Sequence, residues 1–160
     1  MAPKAGPKKK SVTKQQPRTQ IASTNVNLNV GSPRINDIYV ELLTLDADTL
    51  TNAGAVLLRV FLELSVDDFI DNKKLMTDAQ KRSTPLAGRM KKVADDMLKA
   101  ATIDNSLKAM VYKVADSQHT IAASTVTFNQ YVHNKYVIPK PSELRTSWDE
   151  LEPFLAKIWP

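Results

Sequence analysis

An all-α bundle of five to six helices, preceded by a disordered basic tail, is the fold this sequence predicts. Three observations carry that expectation. Apolar residues recur at helical spacing through most of the chain after Ser32. Serine followed closely by proline, a cap-then-proline signal, opens segments at Ser32 and again at "STP". The one strictly alternating run, "NVNLNV", stands alone with no second strand to pair with. The tail is expected over residues 1–31, with a possible short extended segment, and the bundle over 32–160.

The tail reads "MAPKAGPKKKSVTKQQPRTQ" at its start. It is rich in proline and lysine and has almost nothing to bury, so burial cannot offset its ordering entropy. Asn25 to Val30 follows with the alternation of a half-buried strand, or of an extended arm packed on the body or on a partner. The first helix is expected in "SPRINDIYVELLTL", capped by Ser32, with Ile35, Ile38, Tyr39, Leu42 and Leu45 on one stripe. "DADTL" breaks it. A second helix runs from about Thr51 to Ile70, apolar nearly all round from Val56 to Leu64, as a helix enclosed by several neighbours must be.

"DNKKLMTDAQKRS" reads as a polar hinge. Beyond it, Leu86, Met90, Val93 and Met97 form one stripe, and Leu107, Met110, Val111 and Val114 another. Thr125 to Val132 is expected as a shorter helix, and "IPKP" as an extended link. Ser142 is expected to cap the last helix, which buries Leu144, Trp148, Leu151, Leu155, Ile158 and Trp159 and carries a kink at Pro153.

Composition excludes several classes. At 160 residues with 42% hydrophobic content, the chain can build one core and a tail. Cysteine is absent, which excludes a disulfide scaffold, a thiolate metal site and a cysteine nucleophile. The first residues hold no apolar run of signal-peptide length, and "AVLLRVFLELSV" is too short and too charged for a membrane span. A soluble cytoplasmic protein is therefore expected. No glycine-rich phosphate loop, zinc-ligand spacing or nucleophile elbow appears, so no cofactor and no metal are expected.

The net charge of +5 is unevenly placed. Residues 1–36 carry seven bases and no acid, which leaves 15 bases against 17 acids in the rest. Lys8, Lys9, Lys10, Lys14 and Arg18 are thus candidates to neutralise nucleic-acid phosphates without reading sequence. Two polar features stand out in the body. Arg59 and Glu63 lie four apart inside the apolar second helix, either as a paired stripe or as a polar seam feeding a cleft. Asn129 and His133 lie four apart in "FNQYVHN" and can face one groove. The adjacent pairs Asp67-Asp68 and Asp95-Asp96 point apart on their helices and read as solvated surface.

The stretches "SPRINDIYVELLTL", "NAGAVLLRVFLELSVDDFI", "FNQYVHN" and "PSELRTSWDELEPFLAKIW" together resemble a C-terminal helical domain of bacterial ParB-like, DNA-associated proteins. The "FNQYVHN" motif is similar to that of the HEPN superfamily of helical bundles, frequent in prokaryotic toxins and phage defence. Active members carry an arginine ahead of a histidine near the start of a late helix. Asn129 and His133 match the Asn and His of that pattern, but Phe128 stands where the arginine belongs, and neither Thr127 nor Val126 replaces it. Cleavage through the 2′-hydroxyl builds charge on the phosphate oxygens, which a fixed guanidinium would offset and a phenyl ring cannot.

The resemblance therefore implies a non-catalytic interaction domain that pairs with itself or another helical subunit. Trp148, Phe154 and Trp159 are candidate interface anchors. Two alternatives stand beside it. One is a metal-independent endoribonuclease toxin using His133, with Asn129, Arg59 and Glu63 as further candidates. The other is a DNA-binding module driven by the tail.

Overall fold

The computed structural model describes residues 17–117 and 134–160, and within them the chain is helical with no strand. Six helices follow in order: α1 Pro33–Thr44, α2 Thr51–Lys73, α3 Asp78–Ser83, α4 Leu86–Lys99, α5 Asn105–Asp116 and α6 Pro141–Ile158. The central member is α2, which packs against α1, α4 and α6, while α5 packs on α4 and α6. No described helix is long and apolar enough to cross a membrane.

Local chemistry explains the boundaries. Ser32 sits extended at the N-cap of α1 and Pro33 takes the first helical position. α2 ends at Lys74, in the left-handed region at φ 53°, where Lys74 N–H reaches the Asp71 carbonyl and Leu75 N–H the Ile70 carbonyl. Those two bonds satisfy the last carbonyls of the helix. α4 ends the same way at Ala101, φ 56°. Thr77 and Gln80 close a reciprocal capping box over α3, and Asp104 caps α5 through Leu107 N–H at 2.8 Å.

The core is an aromatic stack wrapped in aliphatic side chains. Tyr39, Phe61 and Trp148, from α1, α2 and α6, have ring centroids 5.6 to 6.0 Å apart. Each such pair adds about 1 kcal/mol beyond the area it buries. Trp159 anchors the end of α6 by donating Nε1–H to Ser65 Oγ at 3.0 Å.

Three expectations change, and of the two readings of Asn25 to Val30 the extended arm packed on the body is the one that holds. "NVNLNV" is not a strand, yet its alternation is real. Leu28 is buried and Val26 and Val30 half-buried, while Asn25, Asn27 and Asn29 face out. The run is an extended strap laid on helices: Tyr39 Oη accepts from Leu28 N–H and donates to the Val26 carbonyl. The body also begins earlier than residue 32, because Ile21, Ala22 and Leu28 belong to the core. The polar hinge after Ile70 contains the last turn of α2 and the short helix α3. Ser142 does not cap α6: Lys140 holds that position and Pro141 the first turn. The helix continues through Pro153 to Ile158. The expected helix at Thr125–Val132 lies outside the described residues.

Candidate functional site

Arg59, Glu63 and Asp67 stand at successive four-residue steps on α2 and so form one ladder along the helix. Across from them, α4 contributes Arg89. This arginine lies on the buried stripe of α4 between Leu86 and Met90 and retains 8% exposure. Its guanidinium forks between the two carboxylates: Nη2 donates to Glu63 Oε1 at 2.5 Å and Nη1 to Asp67 Oδ1. Arg59, also buried, places Nε 3.6 Å from Glu63 Oε2. Two guanidiniums and two carboxylates thus compensate one another, as buried charge requires.

The network forms one wall of a cleft of about 630 Å3. The opposite wall is the α3–α4 turn, with Arg82, Ser83, Thr84 and Pro85. Burial is the main influence on Arg59 and lowers its pKa, against the pull of Glu63. Burial acts on Arg89 in the same direction, but its hydrogen bonds to Glu63 and Asp67 outweigh it and hold the guanidinium above its ordinary value. Ser83 and Thr84 both donate to the Gln80 carbonyl, at 3.1 and 2.7 Å.

The residues singled out in the sequence fare differently. Arg59 and Glu63 are a pair on α2, and both line a cleft. Asp67 is not solvated surface but the second carboxylate of the network, while Asp68 turns away and accepts from Asn72 Nδ2 at 2.7 Å. Asp95 is held at the surface by Lys108 at 2.7 Å and by the Tyr112 hydroxyl. Arg89 was missed, although an arginine on an apolar stripe is itself a signal of a buried partner.

Arg18 is not part of a free basic tail. It pairs with Asp149 at 2.6 Å and donates to the carbonyls of Gln20, Ile21 and Arg145, which fixes the strap to α6. Trp148 and Phe154 have no exposed surface and Trp159 only 7%, so these rings fill the core instead of offering an interface. Lys8, Lys9, Lys10, Lys14, Phe128, Asn129 and His133 lie outside the described residues. Among the described residues no cluster of His, Asp or Glu side chains could hold a metal ion.

No protein-family model matches this chain, and neither does any curated protein or solved structure.

Proposed function

We propose that this chain is a non-catalytic, HEPN-like helical interaction domain of a DNA-associated or phage-defence bacterial protein, acting in the cytoplasm and pairing with a second copy of itself. The observation that carries the reading is apolar surface left on the α1–α2 pair. Val40 on α1 is 47% exposed, Leu50 at the turn between the helices 54%, and Val56 on α2 43%. Association would remove these side chains from water, at about 25 cal/mol for each Å2 of apolar surface covered. The non-catalytic half of the reading rests on Phe128, which cannot supply the positive fork that phosphoryl chemistry at His133 would need.

Light scattering on the full chain tests the pairing. A dimer is expected, and Leu50→Asp combined with Val40→Asp should shift it to monomer without unfolding, since both positions are exposed. A monomer at high concentration in the unmodified chain would overturn the reading.

A second reading, nucleic-acid contact through the basic arm, is favoured by the strap. Residues 17–31 are built into the body, so the arm bearing Lys8, Lys9, Lys10 and Lys14 leaves from a fixed point beside α6. Deleting residues 1–16 removes the arm and spares the Arg18 clamp, whereas a longer cut would confuse the two. The deletion should abolish most duplex affinity and flatten its salt dependence by about 0.9 in log–log slope for each phosphate lost. Unchanged binding would exclude the arm.

A further inference from the structure

We propose that the arm of residues 1–16 docks on the exposed face of α1 in its own chain, with its lysines against Asp37 and Glu41. This goes beyond the pairing reading and does not rest on it.

That face of α1 is left uncovered by the described helices. α1 packs chiefly on α2, through the buried stripe of Ile35, Ile38, Tyr39 and Leu42. Its opposite side presents Asp37, Val40, Glu41 and Thr44, all exposed. Asp37 and Glu41 stand four residues apart beside Val40, which is 47% exposed. Neither carboxylate enters an ion pair among the described residues, and nor does Asp46 just past the helix. Asp48 is already matched by Arg145 at 2.9 Å. The base that α1 itself carries is Arg34, on the flank a turn before Asp37. Three unmatched acids thus stand against one base.

Two observations name the occupant. The first is where the arm begins. Ala47 N–H donates to the Thr19 carbonyl at 2.9 Å and Ala22 N–H to the Leu42 carbonyl at 3.2 Å, which lays residues 19–22 along the end of α1. The arm therefore departs beside that end, and Asp37 lies about 10 Å from it at 1.5 Å of rise per residue. Lys10 precedes Pro17 by seven residues, a length of chain that reaches up to about 24 Å. The second is charge. Residues 1–16 hold five of the 22 bases and no acid, which leaves 17 bases against 17 acids in residues 17–160. The whole net charge of +5 therefore belongs to the arm.

Lysine suits this face, because its methylene stem can cover Val40 while the ammonium reaches a carboxylate. Exposed ion pairs are weak one by one. The tether offsets this by holding the lysines at about millimolar local concentration over the face. On the two readings above, a docked arm withholds its lysines from nucleic acid and covers Val40 against a second copy, so release frees both surfaces together.

Amide NMR of the full chain with a nitroxide on Ser11→Cys tests this, since the chain has no cysteine of its own. The amides of Asp37, Val40, Glu41 and Thr44 should lose intensity relative to the reduced label. They should regain it in Asp37→Asn combined with Glu41→Gln, both exposed changes. Salt at about 1 M, where the Debye length is about 3 Å, should restore them as well. Loss spread evenly over the bundle, loss seated on α6 instead, or loss that survives the double change would overturn the proposal. Equal loss in an isotope-labelled copy mixed with a spin-labelled one would overturn it too, because the arm would then sit on the other chain. A monomeric mass would sink the pairing reading and leave this one standing.

Discussion

Two of the polar joints in this bundle differ in how far each is closed. One fastens the strap to α6. Glu152 accepts from Ser23 Oγ and, at 3.0 Å, from Trp148 Nε1, and all three residues are buried. The other fastens α4 to α2 through Arg89, Glu63 and Asp67, and one side of it faces a cleft. The strap joint links residues 129 positions apart in the chain, whereas the cleft joint links residues 26 apart. Closing the long loop costs more chain entropy, and the strap joint offsets it with neutral donors around a single enclosed carboxylate. The cleft joint uses full charges and leaves its edge in water. An enclosed joint can only hold the chain in place. An open one keeps its carboxylates in reach of water.

The sharpest way to break the comparison is to remove Arg89. Arg89→Ala strands Glu63 and Asp67 without their principal cation. Breaking a buried pair costs about 3–5 kcal/mol, and the lower end applies here because water partly screens both carboxylates. Urea unfolding should therefore show a loss of about 3 kcal/mol. Adding Glu63→Gln to Arg89→Ala should recover about 1–2 kcal/mol, the coupling expected of direct partners. Strict additivity would mean that the fork contributes packing and no charge compensation. Next in size is Glu152→Ala. It leaves the Trp148 indole N–H and the Ser23 hydroxyl without their acceptor, at about 2 kcal/mol. Hydrogen exchange should rise in the strap amides of Ala22 and Leu28 and stay unchanged in α4. Equal rises in both regions would erase the distinction between the joints.

How legible these joints were in the sequence follows from the range of the signals. The helices were readable because their signals are local: the Ser32-Pro33 start, the stripe from Leu86 to Met97 and the all-round apolar centre of α2. The α3 capping box was equally local, as Thr77 followed three residues later by Gln80, but it lay hidden in a run that looked uniformly polar. The strap shows the other case. Alternation at Val26, Leu28 and Val30 correctly gave the buried side, but alternation does not say whether a sheet or a helix pair receives it. Likewise, Arg59 and Glu63 were visible as a pair because they share a helix, while Arg89 depends on a helix crossing that no local pattern encodes. Trp148 and Phe154 looked like anchors by residue type alone, and burial decided against it.

The finest test concerns one oxygen atom. Tyr39 contributes its ring to the aromatic stack and its hydroxyl to the strap, accepting from Leu28 and donating to Val26. Tyr39→Phe keeps the ring and removes only the hydroxyl, so it should cost about 1 kcal/mol, the net worth of one such bond. It also has a signature in pH. Burial chiefly raises the Tyr39 pKa, the Leu28 hydrogen bond opposes it, and the charge of Glu152 raises it further. A folded value above the unfolded one means that the folded state keeps the proton longer. The corresponding stability is complete below the ordinary tyrosine pKa and declines as pH rises toward the higher folded value. Tyr112 is raised as well, mainly through its hydrogen bond to Asp95, so an alkaline decline will survive in the variant. Tyr39→Phe should make that decline shallower, and the loss should fall on the strap amides. A decline of undiminished slope would show that the Tyr39 hydroxyl is not shielded from water as its raised pKa requires, and unchanged exchange of the strap amides would show that it does not tie the strap to α1.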